Sequence, residues 1–259
     1  MSKTDRNGPV VMPRDILVAL SLLTRLPTPD PDWSHARPAA CAAWAYPLAG
    51  MLVAGIAGLI GTLALALGTG AGLAAALSLT ALIVMTGAMH EDGLADTADG
   101  FWGGWEPERR LEIMKDSRIG TYGVIALILT LLSRWLVLTA IFATGSGLLS
   151  LIAAAALSRA AMVGVMAALP AARDDGLSRS TGRPDRDTVL SACAIALLVA
   201  LVGFGASGIA LAIAAGLGAG TIGWLALRKI GGQTGDVLGA TQQISEIFVL
   251  ATLTLSLAP

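Results

Sequence analysis

The sequence predicts an all-α fold, a polytopic transmembrane helical bundle of about six to seven spans with its charged loops on the cytoplasmic face. Three observations predict it. Of 259 residues, 55% are hydrophobic and only 14% charged, and mean hydropathy is +0.73, whereas a soluble domain carries about 25% charged residues. The charges fall in blocks, with none in 38–89, 119–133, 189–227 or 247–259. Finally, the connections between apolar stretches alternate between short uncharged ones and long charged ones.

A hydrocarbon core about 30 Å thick takes about 20 apolar residues of helix. The sequence supplies spans at 42–67, 72–89, 122–143, 148–169, 189–204 and 209–227, and a shorter apolar tail at 247–257 that is either a last tilted span or a half-buried helix. Ala and Gly dominate them, and small residues let membrane helices approach closely. Connections 68–71, 144–147 and 205–208 are uncharged, while 90–121, 170–188 and 228–246 hold nearly every charge. Up-and-down threading puts the long loops on one face, and their lysines and arginines assign it to the cytoplasm. Lys3, Arg6, Arg14, Arg25 and Arg37 of the N-terminal segment 1–41 fall on the same side. Residues 15–26 read as amphipathic, lying in the interface or re-entering. The first residues are too polar for a secretory signal. The whole chain, 1–259, reads as a single integral membrane domain embedded in a lipid bilayer. A net charge of −1 with no basic stripe points away from nucleic acid. Cys41 and Cys193 have no disulfide or zinc spacing and read as small apolar filler, and His35 reads as incidental.

The most informative stretch is MHEDGLADTADGFWGG, 89–104. If the preceding helix continues through it, Asp92, Asp96 and Asp99 recur at i, i+4 and i+7 on one face, with Glu91 beside it. Like charges so spaced repel unless neutralised. A hard divalent cation is the usual remedy, and Mg²⁺ commonly joins one or two carboxylates to substrate phosphates. A solvated acidic face is the plainer alternative. Gly93 and Gly100 suit close approach of backbone to a ligand. His90 is a candidate base or supporting group, or simply an interfacial histidine.

Downstream, in RRLEIMKDSRIGTYG (109–123), Lys115 and Arg118 lie three apart and suit one phosphate; snorkelling cations are the alternative. In GGQTGDVLGATQQISE (231–246), Gly231, Gly232, Thr234 and Gly235 suit a tight turn presenting N–H groups to phosphate, although no Walker lysine follows. Asp236, Gln243 and Glu246 then recur at near-helical spacing as a second polar wall. Arg134 and Arg159 each lie roughly 16 Å into a span at about 1.5 Å per residue. Facing lipid there costs at least about 2.5–3.5 kcal/mol, so both should face the interior, either paired with buried groups or lining a ligand cavity. The loop ARDDGLSRSTGRPDRD (172–187) reads equally as a lid or a solvated connection.

HEDGLADTADGFWGG, MKDSRIGTYG, LSRAAMV and GGQTGDVLGA, in this order between these spans and after the early LLTRLPTP, resemble the cobalamin synthase (adenosylcobinamide-GDP ribazoletransferase) family over essentially the whole chain. The resemblance implies Mg²⁺-dependent transfer at the inner membrane of bacteria, as part of cobalamin nucleotide-loop assembly. Adenosylcobinamide-GDP and α-ribazole (or its 5′-phosphate) would give adenosylcobalamin (or its 5′-phosphate) plus GMP. On that reading Asp92, Asp96 and Asp99, with Glu91, hold Mg²⁺, and Lys115 and Arg118 neutralise phosphate. Asp236 or Asp99 takes the hydroxyl proton, and spacing does not separate them. Arg134, Arg159 and Glu246 join the glycine-rich turn in binding substrate. A CDP-alcohol phosphotransferase would carry an arginine where Asp96 stands. A transporter or divalent-cation channel would place carboxylates near the membrane midplane at broken helices. Whether the chain forms a homo-oligomer is left open.

Overall fold

The computed structural model describes residues 12–31 and 38–257; Lys3, Arg6, His35 and Arg37 lie outside them. Helix α1 (Pro13–Leu23) precedes a 3-10 turn (Ala39–Ala45) that runs into α2 (Tyr46–Ala66). Then follow α3 (Ala71–Thr86), α4 (Met89–Gly103), α5 (Pro107–Ile113), α6 (Thr121–Ala143), α7 (Gly147–Ala168), α8 (Leu177–Thr181), α9 (Arg186–Phe204), α10 (Ser207–Ile230) and α11 (Gly235–Leu257). Five stretches are long and apolar enough to cross a bilayer: Ala39–Ala66, Thr121–Ala143, Gly147–Ala168, Arg186–Phe204 and Ser207–Ile230; α3 and α4 together make a sixth, bent by 86°. Leu63, Leu136 and Val202 stand 60%, 61% and 79% exposed on the outside, which suits lipid rather than water. The chain is a multi-pass membrane protein.

Helix α7 runs through the middle, with most of its residues from Ser150 to Met166 buried. It packs on α2 through small residues: a Cβ at Gly58 would lie 2.9 Å from the Cα of Leu148. Helix α1 packs against the bundle through its one acidic residue. The buried Asp15 carboxylate accepts from the Trp44 indole N–H at 2.8 Å and from the Met12 N–H at 3.1 Å, docking α1 on the bundle.

Two sequence expectations change here. The span 72–89 does not continue into the acidic segment. It ends at Thr86, and Gly87 and Ala88 both turn left-handed (φ 64° and 57°). The Ala88 N–H returns to the Ile83 carbonyl at 2.9 Å, a helix ending that glycine favours. The Arg25 N–H caps Met85 at 2.7 Å. Likewise 228–246 is not a long loop. Helix α10 runs to Ile230, only the Gly231–Thr234 stretch is turn, and Asp236, Gln243 and Glu246 belong to the 23-residue α11.

The break sends α4 antiparallel along α6. Asp99 meets Gly120 and Gly123 at the start of α6, while Glu91 meets Arg134, well along the same helix. Glu91 therefore lies inside the bundle, not at its rim, and Arg134 gathers the polar interior. Its guanidinium donates to Glu91 Oε1 (2.9 Å), Gln243 Oε1 (2.9 Å) and Glu246 Oε1 (2.7 Å). Gln243 Nε2 donates to Glu91 Oε1 at 3.0 Å and to Gln242 Oε1 at 2.9 Å; Gln242 Nε2 donates to Glu246 Oε2 at 2.6 Å and to Ser158 Oγ at 3.2 Å. Arg159, 2% exposed, donates to the Ala155 carbonyl at 3.3 Å and feels Glu246 and Glu91 without touching them. Two guanidiniums and two carboxylates balance. Arg134 and Glu246, expected to bind substrate, are instead committed to each other.

Helices α4 and α11 cross backbone to backbone. A Cβ at Gly93 would lie 2.8 Å from the Asp236 carbonyl oxygen, and one at Gly239 would lie 3.2 Å from that of His90. Gly93 thus serves the approach of another helix, as does Gly100, whose Cβ would strike Met114.

Removing one partner from a buried ion pair costs about 3–5 kcal/mol, so Arg134→Met should lower the melting temperature of the lipid-embedded protein sharply, and adding Glu246→Gln should restore part of it. A wild-type melt for Arg134→Met would show that the network does not hold the bundle. Gly93→Ala should destabilise by about 1–3 kcal/mol through overpacking. Gly55→Ala, whose Cβ meets nothing within 4 Å, should be neutral or stabilising. Equal shifts in the two melts would refute the close crossing.

Candidate functional site

At the charged end of the bundle, α4 and α11 present three carboxylates to one mouth. Asp92 is exposed and Asp96 half-buried on successive turns of α4, and Asp236 stands in the first turn of α11. Asp96 is repelled by Asp92, Asp236 and Asp99, and Asp236 by Asp92. The Gly93 crossing is what brings Asp236 beside the α4 pair. Burial lifts the Asp236 carboxyl above the ordinary carboxylate range, against Arg173 and Thr234, which favour its anion.

Asp99 and Glu91 leave this group. Asp99 turns toward α6, where its two oxygens accept from the Gly120 N–H at 2.7 Å and the Gly123 N–H at 2.9 Å. Side chains at Gly120 or Gly123 would collide with that carboxylate. Asp99 therefore caps α6, where a helix N-terminus stabilises an anion. Glu91 is spent on Arg134. Among the described residues no three His, Cys, Asp or Glu side chains come together closely enough to hold a metal ion, so the four-residue set Glu91, Asp92, Asp96 and Asp99 does not converge.

The expected phosphate cations are also rearranged. Lys115 pairs with Asp175 at 2.6 Å and holds that carboxyl below its ordinary range. Arg118 chelates Asp116, pulling it down to about 2. The two cations face different carboxylates rather than one point. The guanidinium inside the mouth is instead Arg173, from the loop whose role the sequence left undecided. It lies 3.3 Å from Asp236 Oδ2 and acts on Asp96, and its Nη1 is buried without a partner. Nothing local in RDDG marks Arg173 off from its neighbours, since its place depends on long-range pairing. The signal for Gly120 and Gly123 was present: two glycines at the start of a charge-free span, downstream of an acidic run.

That pairing engages the glycine-rich turn. The Gln233 N–H donates to Pro170 O at 2.8 Å and the Ala172 N–H to Gln233 O at 2.9 Å, and Gly232 leaves no room for a Cβ beside Pro170. Gly232 thus serves this backbone pairing rather than a phosphate cradle. Gly231, at φ 72°, ends α10. Thr234 Oγ1 accepts from the Val237 N–H at 3.3 Å and donates to Asp236 Oδ2 at 3.1 Å, so its hydroxyl caps α11 and orients Asp236. Gly235 borders an apolar cleft walled by α1, α7, α8 and α11, with His90 in its lining.

The arrangement is one of hard oxygen donors and a guanidinium at the rim of a membrane bundle, suited to a phosphate ester. A family model described as Cobalamin-5-phosphate synthase matches residues 15–254. The adenosylcobinamide-GDP ribazoletransferase of Mesorhizobium japonicum is 44% identical over 94% of both chains. That of Bradyrhizobium diazoefficiens is 46% identical over 91% of both, and that of Brucella ovis 42% identical over 97% of this chain and 99% of its own. No solved structure matches. A match running almost from end to end, in both the family model and these relatives, places the chain in the cobalamin-5-phosphate synthase family.

Proposed function

We propose that this protein is an adenosylcobinamide-GDP ribazoletransferase, working with its charged mouth toward the cytoplasm of a bacterial inner membrane. The carrying observation is the meeting of Asp92 and Asp96, Asp236 and Arg173 at one mouth, in a chain 42–46% identical to proteins of that name. A ribazole hydroxyl attacks the phosphorus that bears the cobinamide. The new P–O bond replaces the one to GMP, which leaves. Such transfers depend on positioning and charge neutralisation.

Asp236 takes the hydroxyl proton. Its burial raises its basicity, and Thr234 and Arg173 fix its orientation; the two N–H donors on Asp99 favour Asp236 over it for this task. Arg173, with one guanidinium nitrogen free, and Lys115 at the rim neutralise phosphate oxygens. The donor set fits Mg²⁺ through Asp92 and Asp96 alone, whose mutual repulsion a cation relieves and whose number matches an ion completed by substrate phosphates. Bound there, the ion would withdraw charge from the diphosphate. Asp99 and Glu91 act on this site as positioning residues.

A transporter or channel reading draws one point from the fold, since Glu91 lies deep beside a helix break. The Oε1 of that carboxylate is, however, tied to Arg134 and Gln243, and the Arg134 guanidinium balances its charge.

Purified protein in lipid, given adenosylcobinamide-GDP and α-ribazole 5′-phosphate, should release GMP and form the completed corrinoid with Mg²⁺ and not without it. Asp92→Asn and Asp96→Asn should each lower turnover by about 10²–10³-fold, the loss typical of a group that stabilises transition-state charge, with the melting temperature unchanged. Arg173→Ala should cost about 10²-fold and Arg118→Ala less than about threefold, as expected of an exposed pair. Near-normal product formation by both asparagine variants would refute the site.

A further inference from the structure

The apolar cleft beside Gly235 is not used by the chemistry above. Leu22 and Leu23 of α1, Met162 and Met166 of α7 and Leu238 of α11 wall it, Tyr46 and His90 add their rings, and Ser178 and Thr181 of α8 edge it. Among these apolar walls His90 is the anomaly. It is 2% exposed, and its Nε2 is buried with no hydrogen-bond partner, an omission that costs about 1–3 kcal/mol. The cleft and the reacting carboxylate share the first turn of α11, where Gly235 borders the cleft and Asp236 is the next residue. Helix α8 is held over it by the 2.6 Å hydrogen bond from Ser178 Oγ to Gln233 Oε1.

We propose that this cleft binds the flat, apolar heteroaromatic base of the ribazole substrate, with His90 Nε2 donating a hydrogen bond to the base's unsubstituted ring nitrogen. The inference rests on the transferase reading and deepens it. Methionines and a tyrosine ring suit a bicyclic aromatic, thioether–ring contacts being favourable. One polar group in an otherwise apolar pocket fixes orientation. With the base inside, the attached ribose emerges at Gly235 and Ser178, and its hydroxyl reaches the Asp236 carboxylate. A lipid acyl chain would fill the same walls but leave Nε2 unpaired. The sequence marks His90 as a candidate base; the cleft gives it a binding role instead.

The test measures α-ribazole and adenosylcobinamide-GDP separately, by calorimetric binding to the full protein in nanodiscs and by KM for each. His90→Phe should weaken α-ribazole about tenfold, the value of one hydrogen bond to a buried group. Met166→Trp, which fills the cleft, should weaken it by more than about tenfold. Affinity for adenosylcobinamide-GDP should stay within about twofold in both. On unmodified protein, free 5,6-dimethylbenzimidazole should compete with α-ribazole and not with adenosylcobinamide-GDP, a result that holds even if a variant fails to fold. If wild-type turnover is normal but neither variant changes KM for α-ribazole and the free base does not compete, the cleft assignment alone is overturned. It is overturned equally if the variants shed bound phospholipid while ribazole affinity is unchanged. Wild-type protein that binds no α-ribazole and forms no corrinoid product overturns the transferase reading with it.

Discussion

Charge neutrality inside a low-dielectric bundle governs this architecture. Two arginines and two glutamates lie among the helices, and an isolated ion there would be far too costly to bury. Arg134 on α6 is bound to Glu91 on α4 and Glu246 on α11, so one side chain ties three helices at a fixed depth. Such ties specify an arrangement more than they stabilise it against an apolar alternative. Here the arrangement specified is the one that matters, because α4 and α11 carry the carboxylates of the mouth. Their close crossing at Gly93 and Gly239 then sets the distance between the two walls.

The same helices divide their acidic residues by depth. Glu91, at the buried end of α4, is structural; Asp92 and Asp96 face the opening; Asp99 turns sideways to cap α6. Four carboxylates within nine residues thus have three different jobs, set by which neighbour each meets. Repulsion among Asp92, Asp96 and Asp236 remains unrelieved except by Arg173, and that imbalance makes the mouth a receptor for cations and for the phosphates they accompany.

Much of this was legible in the sequence. Charge-free blocks located the spans to within a few residues, because excluding charge from hydrocarbon is a local requirement. That Asp92, Asp96 and Asp99 stand on one helix was legible, although Asp99 turns aside to α6, as was the need for Arg134 to face inward. Three features were not legible. The break at Gly87–Ala88 looks like any small-residue stretch, since a left-handed alanine has no sequence mark. The partners of Arg134 lie 43 and 112 positions away, beyond any local pattern. Arg173 reaches the mouth only because Pro170 and Ala172 pair with Gln233, and backbone pairing across 60-odd residues leaves no trace in side-chain periodicity. That Lys115 and Arg118 face different carboxylates, Asp175 and Asp116, was hidden for a related reason: spacing tells which side chains are neighbours on a helix but not which competing acids claim them.

The 86° turn after α3 has an architectural consequence. A straight helix would have carried the aspartates out into water and required a soluble domain to enclose them. Turning by nearly a right angle, the chain uses its own spans as the vessel's walls, with no extramembranous lobe among the described residues. The stretch laid across the charged end, bearing Arg173 and α8, is pinned to the turn before α11 through Gln233, so a short segment stands where a larger enzyme would need a separate lobe.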